Sequence, residues 1–243
     1  MSVIGGMGDR MNKDREKAIL ELLLKKKRVT VKELARVLYA SEPSIRRDLL
    51  QLEKQNLIRR VHGGAVLEEH STSLSKIPFV LRELEDHDAK RIMAQKAAAL
   101  VESGQVIFLD ASSSAYAMIP YLAAKTNLTV ITSGVKALML LAEYGIPAFA
   151  TGGRLLPTCL SLVDDDAIAT VKKYNADWAF FSCRGLSPDG WVTDISIEEN
   201  RVRAAMMGQA RRSVLLCASE KFNKTYLHNL CHRDDLTVIS DIE

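Results

Sequence analysis

The chain contains no apolar run approaching 18 residues and no hydrophobic stretch near its N-terminus, so neither a membrane span nor a secretory signal is expected. Cysteine is scarce. Cys159, Cys183, Cys217 and Cys231 show no Cys-x-x-Cys spacing and sit among core-like residues, which fits a reduced, cytoplasmic setting. No sequence cluster calls for a metal or another cofactor. The net charge is also small, +3, yet it is unevenly placed. Residues 1–70 hold 15 of the 33 Lys and Arg but only 10 of the 30 Asp and Glu, so that stretch carries +5 and the remainder −2. A basic module joined to a near-neutral one is the pattern of a nucleic-acid-binding domain with a partner domain. The 243 residues, 47% apolar and 26% charged, suffice for one small domain and one larger one with its own core.

Residues 1–11 contain three glycines and little periodicity and are expected to be disordered or to form a leader before the first domain. From Asp14 to Lys26 the positions of Ile19, Leu22 and Leu23 predict a helix. Its basic end, Lys25–Arg28, suits either the helix dipole or a phosphate contact. Thr30-x-x-Glu33 is a capping-box pattern that opens a second helix with Leu34, Ala35 and Leu38 facing inward. Ser41 then N-caps a third helix with Pro43 in its first turn, where a missing N–H costs nothing. On it Ile45, Leu49 and Leu52 make an apolar stripe, and Ser44, Arg47 and Gln51 lie opposite. A strand from Leu57 to Val61, the turn His62-Gly63-Gly64 and a returning segment Ala65–Leu67 complete a winged helix-turn-helix.

Polar residues 68–78, ending in proline, mark a linker, and a helical pattern follows from Phe79 to Ser103. Six short strands then alternate with helical segments: Val106–Leu109, Leu128–Ile131, Pro147–Ala150, Trp178–Phe181, Val214–Cys217 and Leu236–Ile239. This alternation predicts a mostly parallel sheet, in which ligands bind beyond the carboxyl ends of the strands. Five of those ends carry small, hydroxylated or cationic residues. They are Asp110–Ser114, Thr132-Ser133-Gly134, Thr151-Gly152-Gly153-Arg154, Ser182-Cys183-Arg184-Gly185 and Ala218-Ser219-Glu220-Lys221, and together they predict an anion site.

Ile45-Arg46-Arg47-Asp48-Leu49, followed by Arg60-Val61-His62-Gly63-Gly64-Ala65, resembles the DNA-binding signature of the DeoR family of bacterial sugar-metabolism regulators. Ala40 and Ser44 replace a valine and a threonine of that pattern. The strand-end loops resemble the family's sensor domain, which is related in fold to ribose-5-phosphate isomerase and binds phosphorylated sugars. Ser112 stands there for a glycine and Ala218 for an acid, while Glu220 adds a negative charge.

The resemblance implies an α/β protein with a winged helix-turn-helix over residues 11–68, a linker over 69–78 and an effector-sensing and oligomerisation domain over 79–243. The expected DNA-binding residues are Thr30, Ser41, Ser44, Arg46, Arg47, Gln51, Arg60, His62 and Gly63. The expected ligand-binding residues are Asp110, Ser112, Ser113, Ser114, Thr132, Ser133, Gly134, Gly152, Gly153, Arg154, Arg184, Asp194, Glu198 and Lys221. Lys221 and Arg154 serve as phosphate counter-charges or surface salt bridges, and Asp194 as a ligand or turn residue. The expected partners are double-stranded operator DNA, a phosphorylated sugar or sugar derivative, and further copies of the chain in a homodimer or larger homo-oligomer. His228-x-x-Cys231-His232 reads as helix-end packing rather than a metal site, and Asp164-Asp165-Asp166 as a solvated loop or helix start. The alternative function is a sugar-phosphate isomerase-like enzyme with an accessory DNA-binding domain, which would need a carboxylate base such as Asp110.

Overall fold

The computed structural model describes residues 4–67 and 77–242. Most of the expected linker, residues 69–76, lies outside them. By contacts the chain divides into two units, Met1–Ser71 and Thr72–Glu243.

The first unit starts with α1 (Ile4–Lys26), which extends N-terminally past the expected start at Asp14. The segment expected to be disordered is therefore helical from Ile4 onward. Once a helix is nucleated, each added residue gains a hydrogen bond, and this outweighs the glycines' low propensity. After β1 (Arg28–Thr30), the Thr30 hydroxyl accepts the Glu33 N–H and opens α2 (Val31–Val37). The Ser41 hydroxyl accepts the Ser44 N–H and opens α3 (Glu42–Lys54). Ile45, Leu49 and Leu52 of α3 are buried, as are Ile19 and Leu23 of α1 and Leu34 of α2, and α3 packs on both of those helices.

The strands β2 (Ile58–Val61) and β3 (Gly64–Leu67) form an antiparallel wing, and β1 pairs with β3 on its other side. Gly64 lies against β1, where a Cβ would stand 2.1 Å from the Val29 carbonyl oxygen. That contact is backbone and cannot rotate away. Gly64→Ala is therefore expected to destabilise the first unit by about 1–3 kcal/mol, read as earlier loss of helical signal on heating.

In the second unit, α4 (Phe79–Leu84) and α5 (His87–Ala99) replace the single helix expected from Phe79 to Ser103. The break is at Asp86, whose φ of +50° is left-handed. The chain continues with β4 (Val106–Leu109), α6 (Ser113–Tyr116), α7 (Ile119–Leu122), β5 (Thr129–Thr132), α8 (Val135–Glu143) and β6 (Ala148–Ala150). Next come β7 (Arg154–Leu156), β8 (Ser161–Val163), α9 (Asp165–Val171), β9 (Ala176–Ser182), β10 (Gly185–Leu186), β11 (Trp191–Asp194) and α10 (Ile197–Gly208). The last elements are β12 (Ala210–Leu216), a one-turn 3-10 helix at Ser219–Lys221, β13 (His228–His232) and β14 (Thr237–Ile239).

All six expected strands enter one parallel sheet in the order β14-β12-β9-β4-β5-β6. Both faces of its central strands are covered, so β4 is an unbroken apolar run rather than an alternating one. Ile107 and Leu109 pack with Met93, Ala97 and Leu122 on one face, while Phe108 packs with Val163, Val171, Val202 and Met206 on the other. A hairpin of β7 and β8 and a small antiparallel sheet, β10-β11-β13, lie outside this sheet. The segment His228–His232 is thus a strand and not a helix end. Its pairing with β11 fixes it, and the His232 ring accepts the Asp234 N–H to cap the turn that follows.

Candidate functional site

The first unit presents a polar face on α3. Arg46, Arg47 and Gln51 are exposed, and Ser44 is half-buried. Arg46 pairs with Glu42 at 3.1 Å, and Arg47 donates to the Ser44 hydroxyl at 3.3 Å. Thr30 and Ser41 cap α2 and α3. In the wing, Arg60 Nε donates to Glu53 at 2.6 Å, His62 and Gly63 are exposed in the turn, and the Gly63 carbonyl accepts the Val31 N–H at 2.8 Å. Asp48 departs from this face. It is buried and takes Arg15 Nε and Nη2 on its two oxygens at 2.5 and 2.9 Å, tying α3 to α1. Its place at i+3 from Ile45 put it on the inward stripe, a signal the apolar count overlooked.

In the second unit a cavity of about 190 Å³ opens at the carboxyl ends of β4, β9 and β12. Ser112, Ser113 and Ser114 line it from β4, Ser182, Cys183 and Arg184 from β9, and Ala218, Glu220 and Lys221 from β12. Arg82, Glu85, Asp86 and Lys90 close it from the α4–α5 side, and Asp194, Glu199 and Arg203 from the β11–α10 side. Lys221 Nζ donates to the Ser182 hydroxyl at 3.0 Å, and Arg184 stacks over the Tyr226 ring. The Ser112 hydroxyl caps α6 through the Ala115 N–H, so the residue that replaces a family glycine has a structural partner.

Six of the expected ligand-binding residues therefore meet in one cavity: Ser112, Ser113, Ser114, Arg184, Asp194 and Lys221. Asp110 lies beneath it, with Oδ1 accepting the Ser112 N–H and Oδ2 accepting the Ser182 N–H and Arg203 Nε. The ends of β5 and β6 do not reach the cavity, because the β7–β8 hairpin folds over them. Leu162 N–H donates to the Ser133 carbonyl, Val135 N–H to the Leu160 carbonyl, and Gly134 N–H to the Thr132 hydroxyl. Thr132, Ser133 and Gly134 are thereby engaged within the fold.

Gly152 and Gly153 serve the same hairpin. A Cβ on Gly153, at φ +94°, would meet the Val163 carbonyl oxygen at 2.2 Å. Arg154 pairs with Asp164 at 2.6 Å, away from the cavity, and Arg201 pairs with Asp165, so this acidic run is a helix start neutralised by arginines. Glu198 accepts the Ser196 hydroxyl at 3.1 Å and also lies off the cavity wall.

Its neighbour Glu199, by contrast, does line the cavity. It is 6% exposed, and its Oε1 has no hydrogen-bond partner and lies 3.9 Å from Arg203 Nη2. Arg203, 4% exposed, also reaches Asp110 at 2.9 Å and Asp194 at 2.7 Å. Burial opposes its charge, and the three carboxylates more than offset this and hold the guanidinium protonated. Burial likewise opposes the charge of Asp194. The Arg203 charge and hydrogen bond, with the Ile195 and Ser196 N–H groups, still bring Asp194 below the usual carboxylate range.

Lys90 is a second buried cation, its ammonium donating to the carbonyls of Arg82 and Glu85. Burial, then repulsion from Lys221, push it down to about 8. At the rim, burial and Asp86 push Glu220 up to about 7, so near neutrality it carries only part of a negative charge. Lys90, Glu199 and Arg203 escaped the sequence reading. For Glu199 and Arg203 the signal was their place with Val202 and Met206 at i, i+4, i+3 and i+7 of one inward stripe of α10.

Residues 15–71 match the DeoR-like helix-turn-helix domain, and residues 85–241 the DeoR C-terminal sensor domain. The chain belongs to the DeoR family. It is similar to the uncharacterized HTH-type transcriptional regulator YulB of Bacillus subtilis strain 168, with 32% identity covering 94% of this chain and 88% of that protein. It is also similar to the L-fucose operon activator of Escherichia coli strain K12, at 31% identity over 95% and 96% of the two chains. The glycerol-3-phosphate regulon repressor of the same strain is 26% identical over 89% and 85%. Among solved structures, a ribose 5-phosphate isomerase A from Methanocaldococcus jannaschii covers 57% of this chain and 55% of its own, with 21% identity and a TM-score of 0.43. As a DeoR-family member the protein is a DNA-binding transcriptional regulator of carbohydrate metabolism with a sensor domain. Among the described residues no helix is long and apolar enough to cross a membrane.

Proposed function

We propose that this regulator represses a sugar-utilisation operon and is controlled by a phosphorylated sugar held in the second unit's cavity. One observation carries the choice of effector: the same cavity is lined by cations and serine hydroxyls and by a buried carboxylate with an unpartnered oxygen. Lys221, Arg184 and the Ser112–Ser114 hydroxyls suit a phosphate, and Lys90 adds positive potential from the opposite wall. Glu199, with one oxygen lacking a hydrogen-bond partner, suits a sugar hydroxyl donor. Glycerol 3-phosphate in the name of one relative is consistent with an ester of this kind.

The DNA-binding domain comprises residues 11–68, the linker 69–78 and the sensing domain 79–243. Thr30, Ser41, Ser44, Arg46, Arg47, Gln51, Arg60, His62 and Gly63 approach the operator, with Arg46 and Arg47 of α3 directed to base edges or phosphates in the major groove. The protein acts in the cytoplasm as a homodimer or larger homo-oligomer, since two half-sites need two recognition helices. Effector binding shifts the population between arrangements that fit and misfit the operator, and its differential affinity for the two limits the effect.

The isomerase alternative is disfavoured by Asp110. Both of its oxygens accept hydrogen bonds within the fold and it is absent from the cavity lining, so the carboxylate cast as the base is not presented to a ligand there. Ribose 5-phosphate is expected not to turn over.

A thermal-shift screen against sugar phosphates and their free sugars tests the effector. A phosphorylated compound should raise the midpoint because it binds only the folded state, and its free sugar should not. Lys221→Ala should lose that shift while retaining DNA binding. Equal shifts from the free sugar, or a full shift in the variant, would remove phosphate and Lys221 from the site.

A further inference from the structure

Cys183 and Cys217 have no role in the proposed effector chemistry, and neither belongs to a metal cluster among the described residues. Their placement is nevertheless specific. Ser182 of β9 pairs in register with Leu216 of β12, so the cysteines are the next residues along two neighbouring parallel strands. Residues paired in this way stand roughly 4.8 Å apart, inside the approximate 4.4–6.8 Å window of Cα separations that a disulfide spans. Their sulfurs are already 3.9 Å apart. Both side chains are buried; Cys183 forms part of the cavity wall, which is where a small reagent meets the pair, and Cys217 lies behind it.

We propose that Cys183 and Cys217 are a modification site, a dithiol that a hydroperoxide converts reversibly to a disulfide. One sulfur, as thiolate, attacks an oxygen of hydrogen peroxide. The O–O bond breaks, hydroxide leaves and takes a proton to become water, and a sulfenic acid remains. The second sulfur displaces hydroxide from that sulfenic acid, the S–S bond forms, and the hydroxide takes the second thiol's proton. Two thiols and one peroxide thus give one disulfide and two waters.

The surroundings favour the first ionisation. The hydrogen bond shared by the two sulfurs holds the Cys217 thiol below its usual range and the Cys183 thiol above it, and the nearby Lys221 charge favours a thiolate. Cys231 lacks such help and is pushed up by burial to about 12. A transient, reversible disulfide is also the kind that a reduced compartment permits. The site is independent of which effector the cavity takes.

The test is peptide mapping of the full chain after hydrogen peroxide, with remaining thiols alkylated under denaturing, non-reducing conditions. The expected product joins the Cys183 and Cys217 peptides, two hydrogens lighter than their sum, and dithiothreitol separates them. Cys231 should be recovered alkylated. In Cys217→Ser the crosslink should vanish, with Cys183 oxidised singly or alkylated. Recovery of Cys183 and Cys217 as separate alkylated or sulfonic residues in the natural chain, or their linkage to Cys159 or Cys231 instead, would overturn the proposal.

Discussion

Arg203→Met is expected to lower the thermal midpoint of the second unit by on the order of 10 °C, the consequence of losing about 3–5 kcal/mol. The buried guanidinium holds Asp110 and Asp194 at 2.9 and 2.7 Å, with Glu199 at 3.9 Å, and removing it leaves carboxylates buried without a counter-charge. Both tryptophans, Trp178 and Trp191, lie in this unit, so fluorescence follows its unfolding selectively. Arg203→Lys should recover only part of the loss, because one ammonium cannot reproduce the guanidinium's fork. A pH series gives the sign. Asp194 lies below its ordinary pKa in the fold, so its contribution is fully present above the unfolded-state value and is lost as pH falls through the folded one. The advantage of the natural chain over Arg203→Met should therefore be full at neutrality and shrink in acid. An unchanged midpoint in the variant would show that the buried cluster does not hold the cavity floor together.

Arg46→Ala and Arg47→Ala should each weaken operator binding by about 1–3 kcal/mol, roughly 5–150-fold, if their guanidiniums reach guanine edges. Both side chains are exposed on α3, and their partners, Glu42 and Ser44, lie on the same helix. Exposed pairs of this kind add little to folding, so the thermal midpoint should stay where it is. Contact with phosphate alone would look different: the loss would be uniform across sequences, with a shallower salt dependence. Asp48→Asn should give the opposite pattern, a lower midpoint, because Asp48 binds Arg15 in the interior. Retained operator affinity in both arginine variants would take α3 out of the groove.

The sheet was legible because a strand buried on both faces writes its own signature, a short apolar run, and Val106–Leu109 has the same limits in the fold as in the sequence. The α3 stripe and the caps at Thr30 and Ser41 were readable for a similar reason, since each depends on residues within one helical turn. The cavity was readable only in part. Strand-end loops of serine and glycine look alike in sequence, and what separates Ser112–Ser114 from Thr132–Gly134 is the β7–β8 hairpin, whose short half-exposed strands carry no strong period. Gly152-Gly153 resembled a phosphate loop, but its second glycine answers to the Val163 carbonyl. Glu199 and Arg203 were hidden by their charge, because an inward stripe is ordinarily sought among apolar residues. Lys90 is set by the left-handed turn at Asp86, which no local pattern announced.

In the proposed mechanism, effector binding in the second unit's cavity changes DNA binding. The most direct measurement is the affinity of the full chain for its operator, by fluorescence anisotropy, with and without the sugar phosphate that stabilises it in the thermal-shift screen. The natural protein should change its operator affinity by about 5–150-fold on saturation with that compound, while Lys221→Ala should bind the operator equally well and not respond. An operator affinity that is the same with and without a saturating sugar phosphate would contradict that coupling.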